Sequence, residues 1–200
     1  AEAVLRNGFS HPVTCGHACS LAVQDESTRD RVIRRVREAG IDIISLPLCN
    51  LYLQDRQQGR TPRWRGITLL NEWINAGVVA ACASDNVRDA FYAYGDLDAF
   101  EVLLAAIRIG HMDNDLSTAP GLVTTAPARI MGLPDHGRIG PGLPARFIEF
   151  EGRSFSEWLS RPGQARRLFE NDRWIEPALP PYSRLSEPVI LPDQSAGLAE

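Results

Sequence analysis

Apolar and polar positions alternate between two textures along this chain. Short continuous apolar runs are interleaved with segments whose apolar residues recur at three- and four-residue spacing. The first run, Val13-Thr14-Cys15-Gly16-His17-Ala18, reads as a short buried strand ending on a histidine. Asp25, Glu26, Ser27 and Thr28 then open a helix with Val32, Ile33, Val36 and Ala39 on one face. Arg31, Arg34, Arg35 and Arg37 form its solvated basic face, and Gly40 closes it. The second run, Ile41 to Cys49, is apolar apart from Asp42 and Ser45, as a strand buried on both faces should be. A connection over 50–66, rich in Arg, Gln, Tyr and Trp, leads to a helical pattern from Ile67 to Ala76 that Gly77 stops. The third run starts at Val78 and stops abruptly on Ser84-Asp85-Asn86. A loop to Gly95 follows, then a helix carrying Phe100, Val102, Leu103, Leu104, Ala106 and Ile107.

A strand therefore recurs about every 30–35 residues, the length of a βα unit. Repeated units of this kind predict either a doubly wound parallel sheet or part of a (β/α)8 barrel. After residue 110 the texture changes. Pro120 to Leu133 predicts a short helix, Gly137 to Gly142 a turn, and Ala145 to Phe150 an edge strand. Ser154 to Ser160 predicts a helix and Arg166 to Ile175 a strand-turn-strand, while the last twenty-odd residues read as an extended tail. No glycine-rich phosphate loop separates a strand from its helix, which argues against dinucleotides and nucleoside triphosphates.

Composition narrows the class. With 44% hydrophobic and 23% charged residues in 200, the chain is an ordinary globular one. No apolar stretch approaches the ~20 residues a bilayer requires, and no signal peptide is legible, so a cytoplasmic protein without a membrane role is expected. A net charge of −4 gives no reason to expect nucleic acid, and the basic loop from Arg56 to Arg65 reads as an active-site loop instead. All 21 basic residues are Arg, which removes any catalytic lysine. Cys15, Cys19, Cys49 and Cys82 include no CxxC pair and are expected to be buried free thiols. The chain starts on Ala, which fits a fragment or a processed product.

Three strands thus end on His17, on Cys49-Asn50 and on Asp85-Asn86. In a parallel sheet these ends share one face, so an imidazole and a carboxylate can converge there although far apart in sequence.

Gly16-His17-Ala18, Leu46 to Gln54 and Ser84-Asp85-Asn86-Val87 together resemble the last three barrel strands of cytosine deaminase, of the amidohydrolase superfamily. Arg63 to Thr68 and Asp89 to Gly95 are similar to that family too. The resemblance implies a (β/α)8 barrel of which this chain holds about strands six to eight with their helices, over 1–133. Residues 134–200 would form part of a small flanking β domain and the tail. It further implies hydrolytic deamination of an aminopyrimidine such as cytosine, with one divalent metal ion, Fe or Zn, in the complete barrel.

By the same resemblance Asp85 is the metal ligand that takes a proton from the attacking water, and His17 orients that water and stabilises the tetrahedral adduct. Asn86, where those deaminases carry a second aspartate, and Phe91 would line the base pocket. The family's HxH pair and its His with Glu three residues on are absent here. One aspartate cannot hold a catalytic metal that needs three or more protein ligands. The isolated chain is therefore expected to be inactive and to need the N-terminal half of the barrel as partner, with a homo-oligomer possible. The alternative is a non-catalytic remnant, or an assembly subunit that docks a partner chain.

Overall fold

A computed structural model of the chain describes residues 1–176 and 178. A first sheet contains β1 (Val13–Gly16), β2 (Ile41–Ser45) and β3 (Ala80–Cys82), all parallel and in that spatial order. Gly16 lies opposite Ile44, and Ser45 opposite Cys82, so the three carboxyl ends are level. The ladder runs on past the strands: His17 N–H donates to the Ile44 carbonyl at 2.9 Å and Ala83 N–H to that of Ser45 at 3.0 Å.

The connecting helices follow their sequence signals. After α1 (Glu2–Asn7) and β1, α2 (Glu26–Glu38) is capped by Asp25, whose carboxylate accepts from Thr28 N–H at 2.9 Å. Its basic face is solvated and paired: Arg35 holds Glu2 at 2.7 and 2.9 Å and Glu38 at 2.6 Å. Between β2 and β3 lie α3 (Pro47–Leu53) and α4 (Leu70–Asn75). The latter ends at left-handed Gly77, with Val78 N–H bonded back to the Trp73 carbonyl at 3.0 Å. The long apolar helix α5 (Ala99–Gly110) buries Phe100, Val102, Leu103, Leu104, Ala106 and Ile107. They pack with Ile43, Leu70 and Trp73 into one core, where burying each large side chain stabilises by about 1.5–3 kcal/mol.

Several boundaries differ from the sequence expectation. The second strand stops at Ser45, because Pro47 has no N–H for a ladder and its fixed φ suits the first turn of α3. Cys49 and Asn50 therefore sit on a helix and not on a strand end. The third strand is only Ala80–Cys82, which leaves Asp85 three residues beyond it. Helix 67–76 contracts to α4. The helix expected over 120–133 divides into a 3-10 turn (Ala119–Val123) and α6 (Thr125–Ile130), since Pro127 cannot donate back across the break. Of the four free thiols, Cys49 and Cys82 are buried, Cys19 is half-buried and Cys15 is exposed. β1 has β2 on one side only, and most of it faces outward.

A second, antiparallel sheet contains β4 (Phe147–Phe150), β5 (Arg166–Glu170) and β6 (Arg173–Ile175), with α7 (Phe155–Ser160) between the first two. Asn171 and Asp172, both at positive φ, make the tight β5–β6 turn that a two-residue hairpin favours. The sheet is fastened to α5 by the stacked rings of Phe100 and Trp158, 5.2 Å apart, and by Phe150, 4.7 Å from Phe100. Arg166 of β5 forms a bidentate pair with Asp98 at 2.7 and 2.6 Å. Among the described residues no helix is long and apolar enough to cross a membrane. The tail expected over the last residues lies outside those described.

Candidate active site

Two side chains meet at the carboxyl ends of the parallel sheet. His17 Nε2 lies 3.7 Å from Asp85 Oδ2, with the imidazole half exposed and the carboxylate about one-quarter exposed (50% and 24%). Both residues adopt the left-handed backbone conformation, φ 64° at His17 and 68° at Asp85. Seven other described non-glycine residues share this conformation, and His and Asp are among the residue types that tolerate it best. The conformation turns each side chain off the end of its strand towards the other. The His17 carbonyl is held from below by the hydroxyl of Thr68, a buried residue.

The side chains that surround this pair come from α3. Asn50, 5% exposed, places Oδ1 2.7 Å from His17 Nδ1. Cys49 is fully buried, and its Sγ lies 3.6 Å from both the Ser84 and the Asn86 carbonyl oxygens, one on each side of Asp85. Burial, with the Asp85 carboxylate adding to it, pushes the Cys49 thiol up to about 11, so it stays protonated at neutral pH.

The loop after Asp85 is ordered by Asp89. Its carboxylate accepts from the Asn86 amide at 2.5 Å and from the backbone N–H of Phe91 and Tyr92, each at 2.9 Å. The Asn86 hydrogen bond is the main cause that holds the Asp89 carboxyl below the usual range, with the two backbone donors assisting. Tyr92 is buried against Tyr52 of α3 at 5.1 Å, and Tyr94 packs edge-on to both rings. Phe91 is left at the exposed tip of this loop. Of the residues expected at the site, the fold brings His17 and Asp85 together. Asn86 adjoins them with its amide committed to Asp89, and Phe91 makes no ring contact among the described residues. Cys49, Asn50, Thr68 and Asp89 carry no role in the sequence reading. For Asn50 the available signal was its place directly after the second apolar run.

An imidazole nitrogen and a carboxylate oxygen 3.7 Å apart are suitable donors for a divalent ion or for water beside one. Among the described residues no group of three or more His, Cys, Asp or Glu gathers to hold a metal. These two residues thus fit such a site as part of a donor set. The basic loop is organised around Asp55, which pairs with Arg60 and accepts from Arg63 and Trp64 N–H at 2.6 and 3.1 Å. A recess of about 880 Å³ by Asp98, Arg166 and β4–β5 includes neither His17 nor Asp85. The pair instead stands on an open rim.

Level parallel strands joined by helices, with donor side chains at their carboxyl ends, are the arrangement of a segment of a doubly wound sheet or of a (β/α)8 barrel, and the relatives decide for the barrel. The chain belongs to the amidohydrolase family, whose sequence profile matches residues 1–161. It is 56% identical over 185 residues to a pterin deaminase of Rhizobium rhizogenes, covering 92% of this chain and 42% of that protein. An N-isopropylammelide isopropyl amidohydrolase of a Pseudomonas species is 26% identical over 170 residues, 84% of this chain and 38% of its own length. The crystal structure of 5-methylcytosine deaminase from Klebsiella pneumoniae, liganded with 5-fluorocytosine, superposes with a TM-score of 0.74 at 26% identity. That match covers 91% of this chain and 45% of the other. The chain thus spans less than half the length of the relatives it matches.

Proposed function

We propose that this chain supplies one wall of the active site of a metal-dependent deaminase that acts on an aminated pyrimidine ring. The observation that carries the proposal is the approach of His17 Nε2 and Asp85 Oδ2 to 3.7 Å on the catalytic face of a barrel sheet. The 56% identity to a pterin deaminase favours a pterin, whose fused pyrimidine bears its amino group between two ring nitrogens, over cytosine. Strands β1, β2 and β3 would be the sixth, seventh and eighth of the barrel. Residues 1–133 would belong to the barrel and the remainder to the flanking β domain. The remaining metal ligands would come from the barrel's N-terminal half.

A divalent ion, when bound, supplies the Lewis acidity that makes water nucleophilic at neutral pH. Asp85 is its ligand from this chain, and Asp85 Oδ2 accepts the proton that the attacking water loses. Asp85 Oδ2 and His17 Nε2, 3.7 Å apart, are beyond direct hydrogen-bond reach, so that proton would pass to Nε2 through a water bonded to both. A ring carrying it donates a hydrogen bond to the oxyanion that develops on the tetrahedral carbon. Water thus adds across the ring C=N at the amino-bearing carbon; one of its protons ends on the ring nitrogen and the other on the departing amine, the exocyclic C–N bond breaks, and ammonia leaves a carbonyl behind. Phe91 and Asn86 would bound the ring's pocket from the loop that Asp89 organises.

The test is ammonia release by the full-length protein loaded with Zn or Fe. Pterin should be converted to the 2,4-dioxo ring, more efficiently than cytosine, and Asp85→Ala should abolish turnover. Absence of ammonia from both rings, or an active Asp85→Ala protein, would overturn the proposal.

A further inference from the structure

We propose that α3 is the splint of the catalytic pair: Asn50 is the positioning residue for the His17 ring and Cys49 the positioning residue for Asp85. The roles rest on the deaminase reading of His17 and Asp85, whereas the geometry stands without it. Asn50 Oδ1, which only accepts, faces His17 Nδ1 at 2.7 Å, an arrangement that matches the tautomer with the proton on Nδ1. That fixes which edge of a half-exposed imidazole faces inward and leaves Nε2 directed at Asp85. A second group that locks a catalytic or metal-facing imidazole through its far nitrogen is a recurring requirement for such sites.

Cys49 acts on the other partner. Its single S–H is shared between the carbonyls of Ser84 and Asn86, which bracket Asp85. Those carbonyl positions define the left-handed turn at Asp85, so the thiol holds the backbone in the conformation that presents the carboxylate. Cys49 and Asn50 are consecutive, and neighbours on a helix point about 100° apart. One turn of α3 can therefore reach the ends of β1 and β3 at once. Pro47 at its first position fixes where that turn begins. Tyr52, on the same helix, packs on Tyr92 and Tyr94 and ties the loop after Asp85 to the same support.

The test uses the full-length protein with Asn50→Leu, Cys49→Val and Cys49→Ser, each first checked for folding by thermal melting. Long-range ¹⁵N–¹H NMR at one neutral pH reads which nitrogen of His17 carries the proton. Wild type should show Nδ1–H, and Asn50→Leu should lose that signature while kcat falls roughly ten- to a hundred-fold at nearly constant KM. Amide hydrogen exchange at Asp85 should accelerate in Cys49→Val, which fills the site without the donor, and recover in Cys49→Ser, whose hydroxyl donates. If Cys49→Val does not fold, Cys49→Ala replaces it. An Nδ1–H signature that survives Asn50→Leu overturns the role of Asn50. Exchange at Asp85 that is equal in the Val and Ser variants overturns that of Cys49. Both readouts are independent of turnover, so a protein that folds but releases no ammonia refutes the deaminase reading and still decides this one.

Discussion

Asp98 joins the loop that follows the candidate site to α5 and to the antiparallel sheet, and its removal should be felt twice. Oδ1 caps α5 by accepting Phe100 N–H at 2.9 Å, and both oxygens accept from Arg166 at 2.7 and 2.6 Å. An N-cap contributes about 1 kcal/mol. A hydrogen-bonded charge pair contributes about 1.5–3 kcal/mol. Because about a quarter of each side chain still meets water (24% and 27%), the pair belongs at the low end of that range. Asp98→Ala should therefore destabilise by about 2–3 kcal/mol, and Asp98→Asn, which keeps the cap, by about 1–2 kcal/mol. Urea unfolding of the full-length protein should show a lower midpoint with an unchanged slope. A loss below about 0.5 kcal/mol for Asp98→Ala, or equal losses for the two variants, would refute this account. The pair also sets a pH dependence. The Arg166 hydrogen bond, first among the causes, holds the Asp98 carboxyl below its usual range. Its contribution is complete above the unfolded value of about 3.9 and is lost as pH falls through the lower folded value. Asp98→Asn should flatten that part of the acid limb.

Three further outcomes are expected. Phe91→Ala should raise KM for the ring substrate with little change in kcat; an unchanged KM would remove Phe91 from the pocket. Gly137→Ala should destabilise by about 1–3 kcal/mol, since Gly137 sits at φ 75° and a Cβ there would clash with the Thr124 carbonyl. An unshifted melting temperature would contradict it. The 200 residues alone should release no ammonia from pterin or cytosine, and robust turnover by this piece would show that the donor set is complete without the N-terminal half.

Much of the fold was legible because periodicity is local. The three strand–helix repeats, the Asp25 cap and the stops at Gly40 and Gly77 each follow from a few adjacent residues. Boundaries failed where one residue overrides its neighbours. Ile41 to Cys49 is uniformly apolar, yet Pro47 ends the strand and moves Cys49 and Asn50 onto α3. The exposure of Cys15 depends on what lies beside β1, which no local pattern reports. At the site, His17 and Asp85 were readable as polar stops on apolar runs. Asn50 and Cys49 were not assigned because their roles are contacts across 33 to 37 positions. Asp89 was missed because an aspartate in a loop looks the same whether or not it gathers three hydrogen bonds.

The left-handed backbone at positions 17 and 85 bears on how such a chain would age. Each side chain held there costs about 1–2 kcal/mol relative to glycine, against a total margin of about 5–15 kcal/mol for a domain. Drift governed by stability alone would replace both residues with glycine and raise the melting temperature. Glycine at position 17 or 85 should therefore raise the melting temperature while removing one member of the imidazole–carboxylate pair that meets at 3.7 Å.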